Sequence, residues 1–209
     1  LMKDNGQICI LCRGNSMALA ETYFHNLADE MIIVNEFNEE LKKSFVDQLF
    51  KNKNITHMVG ADAGLSNLRE EYYQKYNINK AVLNRFEDQA SAISRMSALL
   101  KSFNVDTTYL PDSIREFQKE GGGFPTTGVI SLVYSTVVLK KKDIHIAGMD
   151  FYEKDYFINI KANQHQKKKG LVMKSFVENF MKKFVNVKYT FYTNSSFKSS
   201  LDNVIIVNS

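Results

Sequence analysis

The sequence predicts an α/β protein, a Rossmann-like, doubly wound sheet of mainly parallel strands flanked by helices. Three observations carry this expectation. Short apolar runs alternate with helix-length amphipathic stretches from one end of the chain to the other, the pattern of strands joined by crossover helices. The 209 residues are 44% hydrophobic and 24% charged, enough to build one core, so a single domain over 1–209 is expected. Only 2 Pro and 10 Gly occur, and no repeat or low-complexity tract is present, which argues against solenoid, collagen and disordered classes.

In chain order the expected strands are 8–12, 31–35, 55–59, 81–83, 105–110, 144–148, 187–192 and 204–207. The first carries the only two cysteines, Cys9 and Cys12. Residues three apart on a strand face opposite sides, so the pair reads as two reduced core thiols rather than a metal or redox site. Between the strands, 38–51 and 88–102 read as helices, and 129–139 follows a glycine-rich loop. In 171–184, Leu171, Phe176, Val177, Phe180, Met181 and Phe184 recur at helical spacing as a core face, with Lys174, Lys182 and Lys183 left for water.

Open α/β sheets bind ligands beyond the carboxyl ends of their strands. The residues to weigh are therefore those that follow strands: Arg13-Gly14-Asn15-Ser16 after the first, Asn35-Glu36-Phe37-Asn38 after the second, Gly148-Met149-Asp150-Phe151-Tyr152 after 144–148. Asn15 or Ser16 either caps a helix or hydrogen-bonds a ribose or phosphate. Thr126, Thr127 and Gly128 enter the 129–139 helix, where they form either an anion cradle or an ordinary helix cap. Neither G-x-G-x-x-G nor a Walker A sequence occurs, which disfavours ordinary dehydrogenases and P-loop NTPases.

The net charge is +4, but residues 140–188 hold 12 Lys against 5 Asp+Glu. Such a field attracts phosphates or an anionic membrane surface, and equally describes a solvated lysine-rich helix face. No motif that reads RNA or DNA is visible, so no nucleic-acid partner is expected. Nor does any segment read as a transmembrane helix or export signal, so a cytoplasmic protein is expected, peripheral to a membrane at most. Leu1 before Met2 hints at a tag remnant or a trimmed precursor, and a trimmed N-terminal anchor stays open.

Three linked segments then point further. Pro125-Thr-Thr-Gly-Val-Ile, Lys142-Asp-Ile-His-Ile-Ala-Gly-Met-Asp-Phe-Tyr152 and His165 ahead of an amphipathic helix together resemble the CMP-sialic-acid-dependent sialyltransferases. The Thr-Thr-Gly helix and the strand after it look like the small sialylmotif of the animal enzymes. Ala147-Gly-Met-Asp-Phe-Tyr152, with Gly14-Asn15 and Asn35-Glu-Phe37, is closer to the bacterial Campylobacter-type lipooligosaccharide family. Residues 40–120 match only in general α/β pattern.

The resemblance implies a GT-A-variant Rossmann-like fold with a lid-like loop around 150–168. It also implies inverting transfer of a nonulosonic acid from a CMP-sugar donor to an oligosaccharide, glycolipid or glycoprotein acceptor, with no metal or other cofactor. Gly14, Asn15, Asn35, Thr126, Thr127, Gly128, Gly148 and Asp150 would hold the nucleotide. Tyr152 and Tyr156 would hydrogen-bond the departing phosphate, and His165 would take the acceptor proton. His25, His57 and His145, by contrast, read as structural. No two aspartates stand two apart as a diphosphate–metal site wants, and Glu153-x-Asp155 reads as facing solvent or acceptor. Phe124 stands where the bacterial enzymes carry an arginine, and Glu36 where they carry glutamine. These departures leave the donor sugar open among Neu5Ac, other nonulosonates and Kdo, and leave a non-catalytic CMP- or glycan-binding module as the rival reading.

Overall fold

The computed structural model describes residues 6–60, 68–120, 125–157, 161 and 163–208, with the side chain of His165 outside that set. All eight expected strands are present: β1 Gln7–Leu11, β2 Glu30–Val34, β3 Asn54–Val59, β4 Lys80–Leu83, β5 Asp106–Tyr109, β6 Asp143–Ala147, β7 Lys188–Tyr192 and β8 Val204–Val207. They form one sheet in the order β5-β4-β3-β2-β1-β6-β7-β8. Every adjacent pair is parallel.

Seven α-helices flank the sheet among the described residues: α1 Leu19–Tyr23, α2 Ser44–Lys51, α3 Glu70–Lys75, α4 Ser94–Ser102, α5 Arg115–Glu120, α6 Thr127–Val137 and α7 Gln164–Lys183. Strand alternation splits the core in two. On one face Ile8, Ile10 and Ile146 pack with α5, α6 and α7, and on the other Cys9, Leu11 and Ile33 pack with α1 to α4. Cys9 and Cys12 therefore fall in different clusters, both thiols free and buried. Burial pushes the Cys9 thiol up to about 12 and raises Cys12 as well, so both stay protonated and unreactive.

The chain winds outward from β1 to β5, then returns to place β6 on the other side of β1. That reversal opens a crevice above the carboxyl ends of β1 and β6. The edges differ from the centre: β1 is almost wholly buried, whereas β5 reads Asp-Thr-Thr-Tyr with its side chains exposed or half-buried, polar enough to discourage a further strand.

Two expectations need correction. The helix expected at 171–184 begins seven residues earlier, at Gln164. Asn163 caps it: its Oδ1 accepts from Gln166 N–H at 2.9 Å, and Gln166 Oε1 accepts from Asn163 N–H at 2.8 Å. His165 thus sits in the first helical turn rather than in a polar loop, and the lid-like loop around 150–168 is helical over its last part. Leu171, expected in the core, is 66% exposed, while Met173, Phe176, Val177 and Phe180 face inward. Among the described residues no helix is long and apolar enough to cross a membrane.

Candidate functional site

The switch-point crevice is lined by residues drawn from the β1, β2 and β6 ends and from α6 and α7. Gly14 and Asn35 enter from the first two strands, Thr126, Thr127 and Gly128 from the start of α6, and Gly148, Asp150, Tyr152 and Tyr156 from the segment after β6. All of these were expected at a site from sequence. Asn15 lies apart from them, exposed in a neighbouring shallow hollow with Asn194, Ser195 and Asn208. His165 has its backbone in the first turn of α7, and its side chain lies outside the described residues. Phe124 and the glycines 121–123 lie outside the described residues.

The segment after β6 is the most constrained part of the site. Gly148 has φ +77°, and a Cβ there would strike the Cys12 carbonyl, so only glycine lets β6 turn away while hugging β1. Phe151 and Tyr152 follow with φ of 51° and 58°, two consecutive left-handed residues without the excuse of glycine. Phe151 is held by packing on Phe197, with ring centroids 5.0 Å apart. Tyr156 closes the segment through a single bridge to Gly14, and Phe157 N–H donates to the Arg13 carbonyl at 3.0 Å.

Asp150 ties the turn to the segments that follow β1 and β7. Its carboxylate accepts from Ser16 N–H at 2.7 Å, from the Ser16 hydroxyl, and from the Thr193 hydroxyl at 2.9 Å. It is 3% exposed. Its oxygens are therefore engaged by protein donors, and Asp150 shapes the crevice wall rather than reaching out from it. Ser16 is likewise turned inward, and Gly14, not Asn15 or Ser16, precedes the 3₁₀ turn Asn15–Ala18. Thr126, by contrast, is a true cap, its Oγ1 accepting from Val129 N–H at the head of α6. Helix geometry leaves the Thr127 and Gly128 amides without intrahelical partners, facing the crevice.

The two tyrosines adjoin. Their ring centroids are 6.1 Å apart, and Gln166 Nε2 donates to the Tyr156 hydroxyl at 3.1 Å, fastening the first turn of α7 to the pair. Burial raises both phenol pKa values, so each hydroxyl remains a proton donor at neutral pH. Glu153 lies exposed at the surface, where it pairs with Lys174 and accepts from Ser196 N–H and hydroxyl at 2.5 and 2.6 Å. Asp155 is exposed at the crevice rim.

Several contacts were not anticipated. Arg13 lines the crevice and is gripped by Glu40 at 2.6 Å and Glu36 at 2.8 Å. Burial pushes the Glu40 carboxyl up despite Arg13. Asn84, buried, donates to Thr127 Oγ1 at 3.4 Å, and Gly60 N–H donates to Asn35 Oδ1 at 3.0 Å, joining the β2, β3 and β4 ends to α6. No sequence signal marks these contacts between distant residues. The cap of α7 was readable, since Asn-x-x-Gln at 163–166 is a helix-start signature.

His57 holds Asn35 in place. Its Nε2–H donates to the Asn35 carbonyl at 2.5 Å, and its Nδ1 accepts from the Tyr73 hydroxyl at 2.7 Å, while Asn35 itself has φ +57°. The expectation of a structural histidine is met with a purpose: it props a strained crevice residue. Burial depresses its pKa from 6.5 to about 4. A depressed histidine contributes stability that is complete above the unfolded value and is lost as pH falls from about 6.5 towards 4. The expected loss is of order 3 kcal/mol. Glu40, with its raised value, works in the opposite direction, so the comparison to make is urea unfolding of the parent and His57→Gln at pH 7 and pH 4.5. The variant should show a clearly shallower loss, and equal pH dependence in both would refute the assignment.

Gly170 is a second close approach. It stands inside α7, and a Cβ on it would run into the Phe151 carbonyl. Ordinarily Gly→Ala in a helix stabilises by roughly 1 kcal/mol. Here Gly170→Ala should instead destabilise by about 1–3 kcal/mol, because the obstructing atom is backbone. Urea midpoints decide the sign.

Scans against protein-family models, curated proteins and solved structures returned no match to this chain.

Proposed function

We propose that the chain is an inverting glycosyltransferase that moves a nonulosonic acid from a CMP-sugar to a glycan hydroxyl without a metal, on a GT-A-like variant of the Rossmann-like fold. The observation that carries this reading is the convergence of Gly14 and Asn35, from the first two strand ends, with Thr126, Thr127 and Gly128 and with Gly148, Asp150, Tyr152 and Tyr156, from far later in the chain, on one switch-point crevice. In it, α6 presents free-ended amides and a capped N-terminus to an anion, and two protonated tyrosines adjoin them.

The chemistry follows from those parts. The acceptor oxygen attacks the anomeric carbon from the face opposite the phosphate, and the carbon–phosphate-oxygen bond breaks as the new bond forms. CMP leaves with the electron pair, its oxygens stabilised by hydrogen bonds from Tyr152 and Tyr156. A phosphomonoester leaving group of this kind needs donors rather than a strong acid. The acceptor proton passes to His165, whose helical turn is fastened to Tyr156 through Gln166.

Transfer from CMP-Neu5Ac to simple galactosides in EDTA is the test. Activity that persists under chelation supports the mechanism, and activity abolished by EDTA and restored by Mn²⁺ overturns it. The second reading, a CMP- or glycan-binding module without turnover, is favoured by one observation. The crevice arginine, Arg13, is matched by two glutamates, which leaves it little charge for an anionic sugar. Calorimetry showing CMP binding with no hydrolysis of any CMP-sugar would select it.

A further inference from the structure

No aspartate or glutamate stands between Asp155 and Glu178, whereas that span holds Lys161, Lys167, Lys168, Lys169 and Lys174. Lys174 is paired with Glu153, but Lys161, Lys167 and Lys168 are exposed. One helical turn beyond the latter two stand Leu171 and Val172, 66% and 53% exposed. On a helix, residues four apart lie one above the other, so 167 stacks on 171 and 168 on 172. The outer stripe of α7 thus sets two ammonium groups beside two bulky aliphatics. Another face of the same turns brings Gly170 and Met173 to the crevice.

We propose that this stripe seats the protein on an anionic lipid surface. Lys167 and Lys168 meet the phosphate headgroups, and Leu171 and Val172 enter the boundary with the acyl chains. Charge complementarity selects this occupant. A two-fold contact between copies would gather the lysines of both stripes into one interface with no carboxylate from 156–177 to meet them, and a nucleic acid would engage the lysines while leaving the aliphatics in water. Seated so, the crevice opens beside the lipid, where a glycolipid acceptor presents its terminal sugar. That last orientation rests on the transferase reading, whereas the docking itself does not.

The test is co-sedimentation of the full chain with vesicles of phosphatidylcholine alone or mixed with phosphatidylglycerol. Binding is expected to the mixed vesicles and to fall with salt. Neutralising Lys167 and Lys168 together, by Lys167→Gln and Lys168→Gln, should weaken partitioning roughly 30-fold, at about one headgroup interaction per lysine. The pair Leu171→Ser and Val172→Ser should also weaken it, with far-ultraviolet circular dichroism unchanged because all four side chains are exposed. Equal binding to both vesicle types, or double variants that bind like the parent, would overturn the proposal. So would a parent dimer in sedimentation equilibrium that the serine pair dissolves, since the stripe would then serve a second copy. CMP titration of the same variants keeps the two readings apart: none of the four residues lines the crevice, so CMP affinity should stay at the parent value whichever way docking falls.

Discussion

Asp150→Ala is expected to cost the fold about 3–5 kcal/mol, because it leaves several buried donors without their acceptor. The substitution strands three donors at once: the Ser16 amide, the Ser16 hydroxyl and the Thr193 hydroxyl. Each buried donor left without an acceptor costs roughly 1–3 kcal/mol, and Thr193 retains Ser195 as a second partner, which keeps the sum below the simple total. Asp150→Asn preserves shape and one acceptor oxygen, so it should lose less than half as much. Urea unfolding followed by circular dichroism measures both. CMP affinity should fall in the alanine variant even under conditions where it remains folded, because Ser16 and the 148–152 turn would no longer be tied together. An alanine variant within 1 kcal/mol of the parent, by the same estimate of burial cost, would show that the three bonds are not made in solution.

The other large effect is on turnover. His165→Ala should lower transfer by about 10²–10⁴-fold, the range for general-base catalysis, with CMP affinity and stability little changed. Tyr156→Phe should cost about 10²–10³-fold by removing a donor to the departing phosphate. The pH profiles separate them. The tyrosine variant should keep a rate that rises as the imidazole deprotonates, and the histidine variant should lose that limb. Near-parental transfer by His165→Ala at neutral pH would exclude it as the base. Unfolding of the variant would assign His165 to the first turn of α7 instead, a distinction that circular dichroism makes directly.

Periodicity located the strands because the central ones are apolar almost throughout and the connecting helices are amphipathic. It located the crevice too, because parallel sheets put functional residues after strand ends, and Gly14, Asn35 and Gly148 are where that rule points. It failed at the start of α7. There the Lys167-Lys-Lys169 run and Gly170 look like a loop to any reading that waits for apolar spacing, although the cap at Asn163 and Gln166 marks the boundary. Gly170 is small because the Phe151 carbonyl crosses the helix there, a fact that exists only in three dimensions. The same holds for His57 beneath Asn35 and for Glu40 beside Arg13. Each contact joins segments whose meeting depends on sheet order, and nothing in local sequence records it. Asp150 shows the converse difficulty: its position was legible and its role was not, since a carboxylate at a strand end looks alike whether it faces a ligand or the protein's own hydroxyls.

The placement of β1 between β2 and β6 has a consequence for biosynthesis. One edge of β1 is paired by a strand that emerges about twenty residues later, but the other waits for residues 143–147. Throughout that interval of synthesis a buried, largely apolar strand presents an open edge, the kind of surface that pairs with other nascent chains. The crevice is later still, because Thr193 must arrive before Asp150 has its full set of donors. Ribosome-bound fragments ending before β6 should therefore be the aggregation-prone species, and a chain shortened to end before Thr193 should carry the strand framework for the site without the tie that shapes it.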